Sequence, residues 1–205
     1  VCGSNDENVQ VIVNAINNAI GAYGNTISWA TTSNYKQGID SEFVAFVEAM
    51  NAGQVGAVLI HGVNPAYEYF DAEKFKTGLA KVGISISFAD RKDETAELCK
   101  FVVPDHHWLE SWGDAEPKSG YYSFIQPTIA PLFKSRAFQD SLLTWAGASV
   151  DYNTLWNNFW VAKLGQSTFD KALQDGVLEP ASASLSAATF TGNVDAAIAA
   201  ATAVK

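Results

Sequence analysis

Residues 56–113 read GAVLIHGVNPAYEYFDAEKFKTGLAKVGISISFADRKDETAELCKFVVPDHHWLESWG. Within them Ala57-Val58-Leu59-Ile60 is a continuous apolar run between glycines, the pattern of a strand buried on both faces of a parallel sheet. The turn Gly62-Val63-Asn64-Pro65 follows directly, then a helix predicted over 71–82 and a second strand over 84–88. A short helix over 93–98 leads to a third strand, 101–103, which Pro104 stops. Strands joined by crossovers of about a dozen residues predict right-handed βαβ units. In such folds the ligand sits in the turns beyond the carboxyl ends of the strands.

Upstream, residues 8–23 place Val9, Ile12, Val13, Ile16, Ala19 and Ile20 on one helical stripe, with N-cap chemistry in Ser4, Asn5 and Asp6 and a stop at Gly21 and Gly24. Residues 26–30 read as a short strand. Residues 41–51 read as an amphipathic helix capped by Asp40 or Ser41, with Phe43, Val44, Phe46, Val47 and Met50 inward. Beyond Pro104, 105–135 is loop-rich around one strand at 121–125, and three helices follow at 135–146, 151–163 and 167–174. The middle one carries Leu155, Trp156, Phe159, Trp160 and Val161, an aromatic density that suits a core or a subunit interface. From Ala181 the composition shifts to Ala, Ser and Thr, with a strand expected at 185–191 and an Ala-rich helix at 194–204. The expected organisation is one α/β domain over 1–180, a Rossmann-like, mostly parallel sheet with helices on both faces, followed by an Ala/Ser-rich C-terminal segment over 181–205.

The 205 residues suffice for one substantial core, and 48% of them are hydrophobic. No apolar run reaches the ~18 residues that a membrane span needs. A net charge of −9 argues against nucleic acid or anionic lipid as partner, because both demand clustered Lys and Arg. Cys2 and Cys99 each stand alone, which excludes a self-contained iron–sulfur or structural zinc site of about four clustered ligands. Cys99 reads as an inert buried thiol, and a disulfide between the two cysteines stays open, as does the redox compartment. The chain begins at Val1 without an initiator Met, and no signal peptide is visible; the expectation is a piece of a longer polypeptide.

Three places could carry chemistry. In the Gly62-Val63-Asn64-Pro65 turn, Gly62 lets the backbone approach a ligand, the amides beyond it suit a phosphate or pyrophosphate, and Asn64 and Pro65 hold the turn. A tight strand-to-helix turn explains the same residues without a ligand. Asp93-Glu94-Thr95-Ala96 stands in the equivalent position after the next strand, where Asp93 suits an N-cap and Glu94 the positive end of a helix; capping alone accounts for both. In Asp105-His106-His107-Trp108-Leu109-Glu110, His107 and Glu110 are three apart and could share a helical face as metal ligands. Adjacent histidines point different ways and His61 is far off in sequence, so packing or pocket wall is the preferred reading of His107 and Trp108. No G-x-S-x-G elbow is present to support a hydrolase. No catalytic residue and no metal ligand is assigned.

With GVNP, DETAELCKFVVP, HHWLESWGD and YYSFIQPTIAPLF in order, the chain resembles the molybdopterin oxidoreductase family, the large subunits related to dimethyl sulfoxide reductase. The family pattern is G-x-N-P, T-E-T-A-x-x-A-D-x-V-L-P, L-E-x-x-G and Q-P-x-x-x-P, and the match runs over about residues 55–147. Gly62, Asn64 and Pro65 match G-x-N-P; Glu94, Thr95 and Ala96 match E-T-A; Glu110 and Gly113 match L-E-x-x-G; Gln126 and Pro127 match Q-P. The wording HHWLESWGD and SFIQPTIAPLF is most similar to the molybdopterin-oxidoreductase-like iron–sulfur subunit of alternative complex III, a bacterial respiratory assembly. The resemblance implies an internal domain of a much larger polypeptide. It implies Gly62, Asn64, Pro65, Glu94, Thr95, Glu110 and Gly113 as the positions that would hold one arm of molybdopterin guanine dinucleotide in an active member. It also implies a scaffolding rather than catalytic role, no cofactor within this stretch, and iron–sulfur clusters elsewhere in the full chain. The implied partners are other domains of the same polypeptide and subunits of a membrane-associated respiratory complex, on the periplasmic face of the inner membrane. The alternative it leaves is a guanosine-dinucleotide-arm-binding domain of an active molybdenum oxidoreductase. Departures from the pattern are Asp93 for the leading Thr and Cys99-Lys100 for A-D, and the reversed charge at Lys100 implies an altered nucleotide pocket. From a different class, a doubly wound sheet also supports a stand-alone small-molecule-binding module.

Overall fold

Three short strands carry the alternation expected of residues 56–104. β1 (Ala57–Ile60) pairs in parallel with β2 (Ile84–Ser87), Ala57 opposite Ile84 and Ile60 opposite Ser87, and β2 pairs in parallel with β3 (Phe101–Val102). The sheet order β1-β2-β3 follows the chain, as consecutive βαβ units require. The structure is a computed structural model that describes residues 1–35, 37–180 and 188–203. Its helices are α1 (Glu7–Ala19), α2 (Asp40–Asn51), α3 (Pro65–Glu68), α4 (Ala72–Leu79), α5 (Phe138–Trp145), α6 (Tyr152–Leu164), α7 (Gln166–Asp175) and α8 (Val194–Ala203). A second sheet, β4 (Gly113–Lys118), β5 (Tyr121–Ile125) and β6 (Val177–Leu178), follows the order β4-β5-β6.

The chain divides into two compact units: Val1–Lys36 with Glu116–Tyr122 and Glu179–Lys205, and Gln37–Ala115 with Ser123–Leu178. In the larger unit α2 and α4 pack together over one face of the parallel sheet. Val47, Met50, Phe75, Leu79 and Val82 close over Val58 and Ile60 in a single cluster. Gly78 lets the two helices approach, since a Cβ there would lie 2.8 Å from Asn51 Nδ2 and 3.0 Å from Met50 Cβ. Asp71 caps α4 through Lys74 N, and Lys74 Nζ pairs with Glu48 on α2. β1, expected to be buried on both faces, is buried on one: Val58 and Ile60 alternate with exposed neighbours. On the opposite face Leu59, Ile84 and Phe101 are 47%, 49% and 56% exposed.

Of the aromatic helix α6, expected in a core or a subunit interface, only the two tryptophans reach a core, while Leu155 and Phe159 are exposed. Trp156 and Trp160 are buried, and Phe124 of β5 meets Trp160 edge-on at 4.8 Å and Phe169 of α7 at 5.9 Å. Both indoles need an acceptor once desolvated, and Asp114 Oδ2 serves both, at 2.5 Å from Trp156 Nε1 and 2.9 Å from Trp160 Nε1. β4 and β6 add to the single strand expected between 105 and 180. Their sequences GDAEPK and VL carry little strand signal, and hydrogen bonding to neighbours creates them.

In the smaller unit Asp6 caps α1 by accepting from Asn8 N and Val9 N, and α1 packs on α8. The strand expected at 26–30 reduces to one bridge between Tyr23 and Ile27, because the chain reverses at Gly24 (φ +77°). Within α2, Ile39 rather than Asp40 or Ser41 stands at the N-cap and offers no side-chain acceptor. Of the strand expected at 185–191, residues 185–187 lie outside the described residues and 188–191 are not in a strand.

Candidate functional site

The carboxyl ends of β1 and β2 place the two candidate turns side by side. Gly62 takes φ +68°, a left-handed conformation that a side chain would strain, and the chain then enters α3 with Asn64 at its N-cap and Pro65 at its first position. Asn64 Nδ2 donates to Glu94 Oε2 at 2.7 Å. Its Oδ1 accepts from Thr95 Oγ1 at 2.6 Å and from Thr95 N at 3.2 Å. The Thr95 hydroxyl accepts in turn from Ala66 N at 2.9 Å, and Thr95 is fully buried. Asp93 Oδ1 receives Ala96 N at 2.7 Å, so Asp93 caps the 3-10 turn Ala96–Leu98 that stands where a short helix was expected. The two turns are thus clasped by one asparagine. The hydrogen bond from Asn64 is the leading reason that the Glu94 carboxyl lies below its ordinary range.

A groove of about 380 Å³ opens beside this clasp. Gly62 and Asn64 line it, while Pro65 and Thr95 are buried behind it. Four carboxylates, Glu68, Asp90, Asp93 and Asp105, also line it, with His61, His106 and His107 and without any Lys or Arg. His61, far from the other histidines in sequence, is brought to them because β1 and β3 end on the same rim. Its Nε2 lies 2.7 Å from Asp105 Oδ2, and its ring stacks on Phe138 at 4.1 Å. Asp105 Oδ1 accepts from His106 N at 2.7 Å and from Phe138 N at 2.8 Å, so the pair anchors the start of α5. Position directly after β1 was the signal that could have singled out His61.

His107 and Trp108 line this groove, and the remaining candidates separate from it. His107 and Glu110 do not share a helical face as a ligand pair; they bracket a 3-10 turn, Trp108–Glu110, as a capping box. Glu110 Oε2 accepts His107 N and Oε1 accepts Leu132 N, both at 2.9 Å, and these bonds, Leu132 foremost, pull its carboxyl below the ordinary range. Glu110 instead lines a neighbouring apolar groove of about 550 Å³ with Leu109, Ile129, Leu132 and Phe133. Gly113 begins β4, and a Cβ there would make ordinary contact with Ile125 at 3.7 Å. Gln126 Nε2 bonds the Leu173 carbonyl at 2.8 Å. Lys100 does not reach the clasp: its Nζ donates to the Val82 and Gly83 carbonyls at 3.0 and 2.7 Å, ahead of β2 and at the amino rim of the sheet. The altered nucleotide pocket implied by its charge is therefore not produced by Lys100. Cys2 and Cys99 are both free, and burial raises the Cys99 thiol.

Among the described residues no group of three His, Cys, Asp or Glu side chains is arranged to hold a metal ion. No helix among them is long and apolar enough to cross a membrane. A dinucleotide diphosphate would need donors or cations here. One Asn64 N–H and its oxygen are used internally, and the side chains lining the groove bring carboxylates and no Lys or Arg, so these side chains do not fit that group.

No family model matches the chain. Among solved structures it is similar to acetylene hydratase from Pelobacter acetylenicus, at 20% identity over 51% of this chain and 15% of that one, with a TM-score of 0.46. Among curated proteins one match covers 44% of this chain but only 14% of the relative, well under two thirds of the relative's length. That relative, 35% identical over 95 residues, is the menaquinone reductase, molybdopterin-binding-like subunit of Nitratidesulfovibrio vulgaris, a similarity that supports the molybdopterin oxidoreductase family in general.

Proposed function

We propose that this chain serves as a structural α/β domain of a molybdopterin-oxidoreductase-like subunit in a respiratory electron-transfer complex, without catalysis of its own. The observation that carries the reading is the clasp: Asn64, the one side chain of the G-x-N-P turn with donors to offer a ligand, gives one N–H to Glu94 and its oxygen to Thr95. The carboxylates of the groove beside it disfavour a diphosphate, Glu68 and Asp93 most, since Asp90 is paired with Arg91 and Asp105 with His61. What remains is a rigid junction between two crossovers, suited to holding neighbouring domains in place. The relative's name as a menaquinone reductase subunit supports a multi-subunit partner set. On this reading the partners are further domains of the same polypeptide and subunits of a membrane-associated complex of the alternative complex III or menaquinone reductase kind, at the periplasmic face of the inner membrane. Iron–sulfur clusters belong elsewhere in that assembly.

The test is titration of guanosine diphosphate into the protein, read by calorimetry and by the amide signals of Gly62 and Asn64. No heat and no saturable shift at millimolar ligand is the expected result. Saturable binding that moves those amides, or stoichiometric molybdenum and pterin in the purified complex, would overturn the proposal in favour of a working guanosine-arm site.

A further inference from the structure

The cavity beside α5 has the opposite charge from the rim groove. It is an open pocket of about 370 Å³, walled by Val103, Pro104 and Trp145, with Lys134, Ser135, Arg136 and Ser141 supplying the polar groups. Lys134 and Arg136 lie one residue apart, as do Lys74 and Lys76, but Lys74, Lys76 and Arg91 are engaged in ion pairs. Lys134 and Arg136 are both exposed, and none of the five ion pairs among the described residues uses either. Arg136 also borders a groove holding Asp140 and Asp151. Those carboxylates already accept Tyr152 N and Thr154 N, each at 2.7 Å.

Ser141 is 1% exposed, makes no side-chain hydrogen bond to the described residues, and has its remaining surface on this cavity. A guanidinium fork, an ammonium point charge and a hydroxyl among the residues lining one space match a dianionic oxyanion. The flat side chain of Trp145, 49% exposed, and the ring of Pro104 offer an apolar planar wall beside it. A net charge of −9 opposes approach to an anionic bilayer, which favours a soluble ester over a lipid headgroup.

We propose that this cavity binds a soluble phosphate monoester, its dianion held by Lys134, Arg136 and Ser141 and its apolar body laid against Trp145. The site is independent of the rim groove and of the structural role argued above.

Phenyl phosphate is the probe, titrated into the chain and followed by the amide signals of Ser135 and Ser141 and the indole signal of Trp145. Saturable shifts at these three are expected, with affinity that falls as salt is raised. K134Q/R136Q, at two exposed positions that leave the core untouched, should weaken binding about tenfold or more. Ser141→Ala should weaken it about threefold. Benzoate, with the same ring and a single charge, should bind less tightly than phenyl phosphate. The proposal fails if no shift saturates, if the double variant binds as well as the parent, or if benzoate binds equally. Shifts confined to Gly62 and Asn64 would also sink it, and would count against the structural reading of the rim as well.

Discussion

Asn64 joins two turns that lie thirty residues apart in the chain, and its worth is that of a buried polar bridge. Asn64→Ala would strip Thr95 of its acceptor and Glu94 of its donor. Thr95 is fully buried, so the orphaned hydroxyl has no water to turn to. We expect a loss of about 1–3 kcal/mol in urea unfolding, with the m-value unchanged. Glu94 and Glu110 add a pH dependence whose sign follows from their lowered pKa. A carboxylate favoured in the folded state contributes stability above its ordinary value of 4.5 and loses it as the pH falls through its lower, folded value. The Leu132 and His107 amides, which report on Glu110, should therefore titrate with a midpoint below 4.5; a midpoint at or above it contradicts the capping box.

At this scale the sequence was readable where the rim rule applied. Asn64, Glu94 and Thr95 meet because parallel strands deliver their turns to one edge, and alternation alone announces that. Roles were harder to read than positions. Lys100 is the second residue of the two-residue irregular exit from the 3-10 turn, so motif position could not say that its amine runs back along β2 to the opposite rim. His61 looked solitary because its partner, Asp105, enters only through the third strand.

Among elements, the α2–α4 pair is the most tightly constrained. Gly78→Ala gains helix propensity of roughly 1 kcal/mol but drives a methyl into Asn51 and Met50. Asn51 cannot simply swing aside, because its amide donates to the Val47 and Lys74 carbonyls, both at 3.0 Å. The net expectation is a destabilisation of about 1–2 kcal/mol in thermal or urea unfolding, where an open helix surface would give a gain. α1 and α2, with apolar stripes, and α6, with its run of aromatics, were legible to within a few residues. β4 was not. Its GDAEPK sequence contains a proline and two acids, and it is a strand because its neighbour β5 and the indole-binding role of Asp114 hold it extended. Tertiary context, which a propensity cannot contain, decides such segments.

For the molecule as a whole, the salient asymmetry is the parallel sheet with one packed face and one open one. All-parallel sheets are ordinarily covered on both faces, so half-exposed Leu59, Ile84 and Phe101 form an apolar face open to self-association. Replacing Leu59 and Phe101 together by Lys should therefore leave folding cooperativity intact, since both side chains are about half exposed, while abolishing any self-association seen by sedimentation. An unfolded double variant would show instead that the second face already supports this fold.

The same uncovered aliphatic slope has a thermal consequence. Attraction between apolar surfaces near room temperature is driven by released water, so it strengthens on mild warming and fades in the cold. Any self-association through this face should therefore strengthen between refrigeration and body heat and reverse on ice, as light scattering would report.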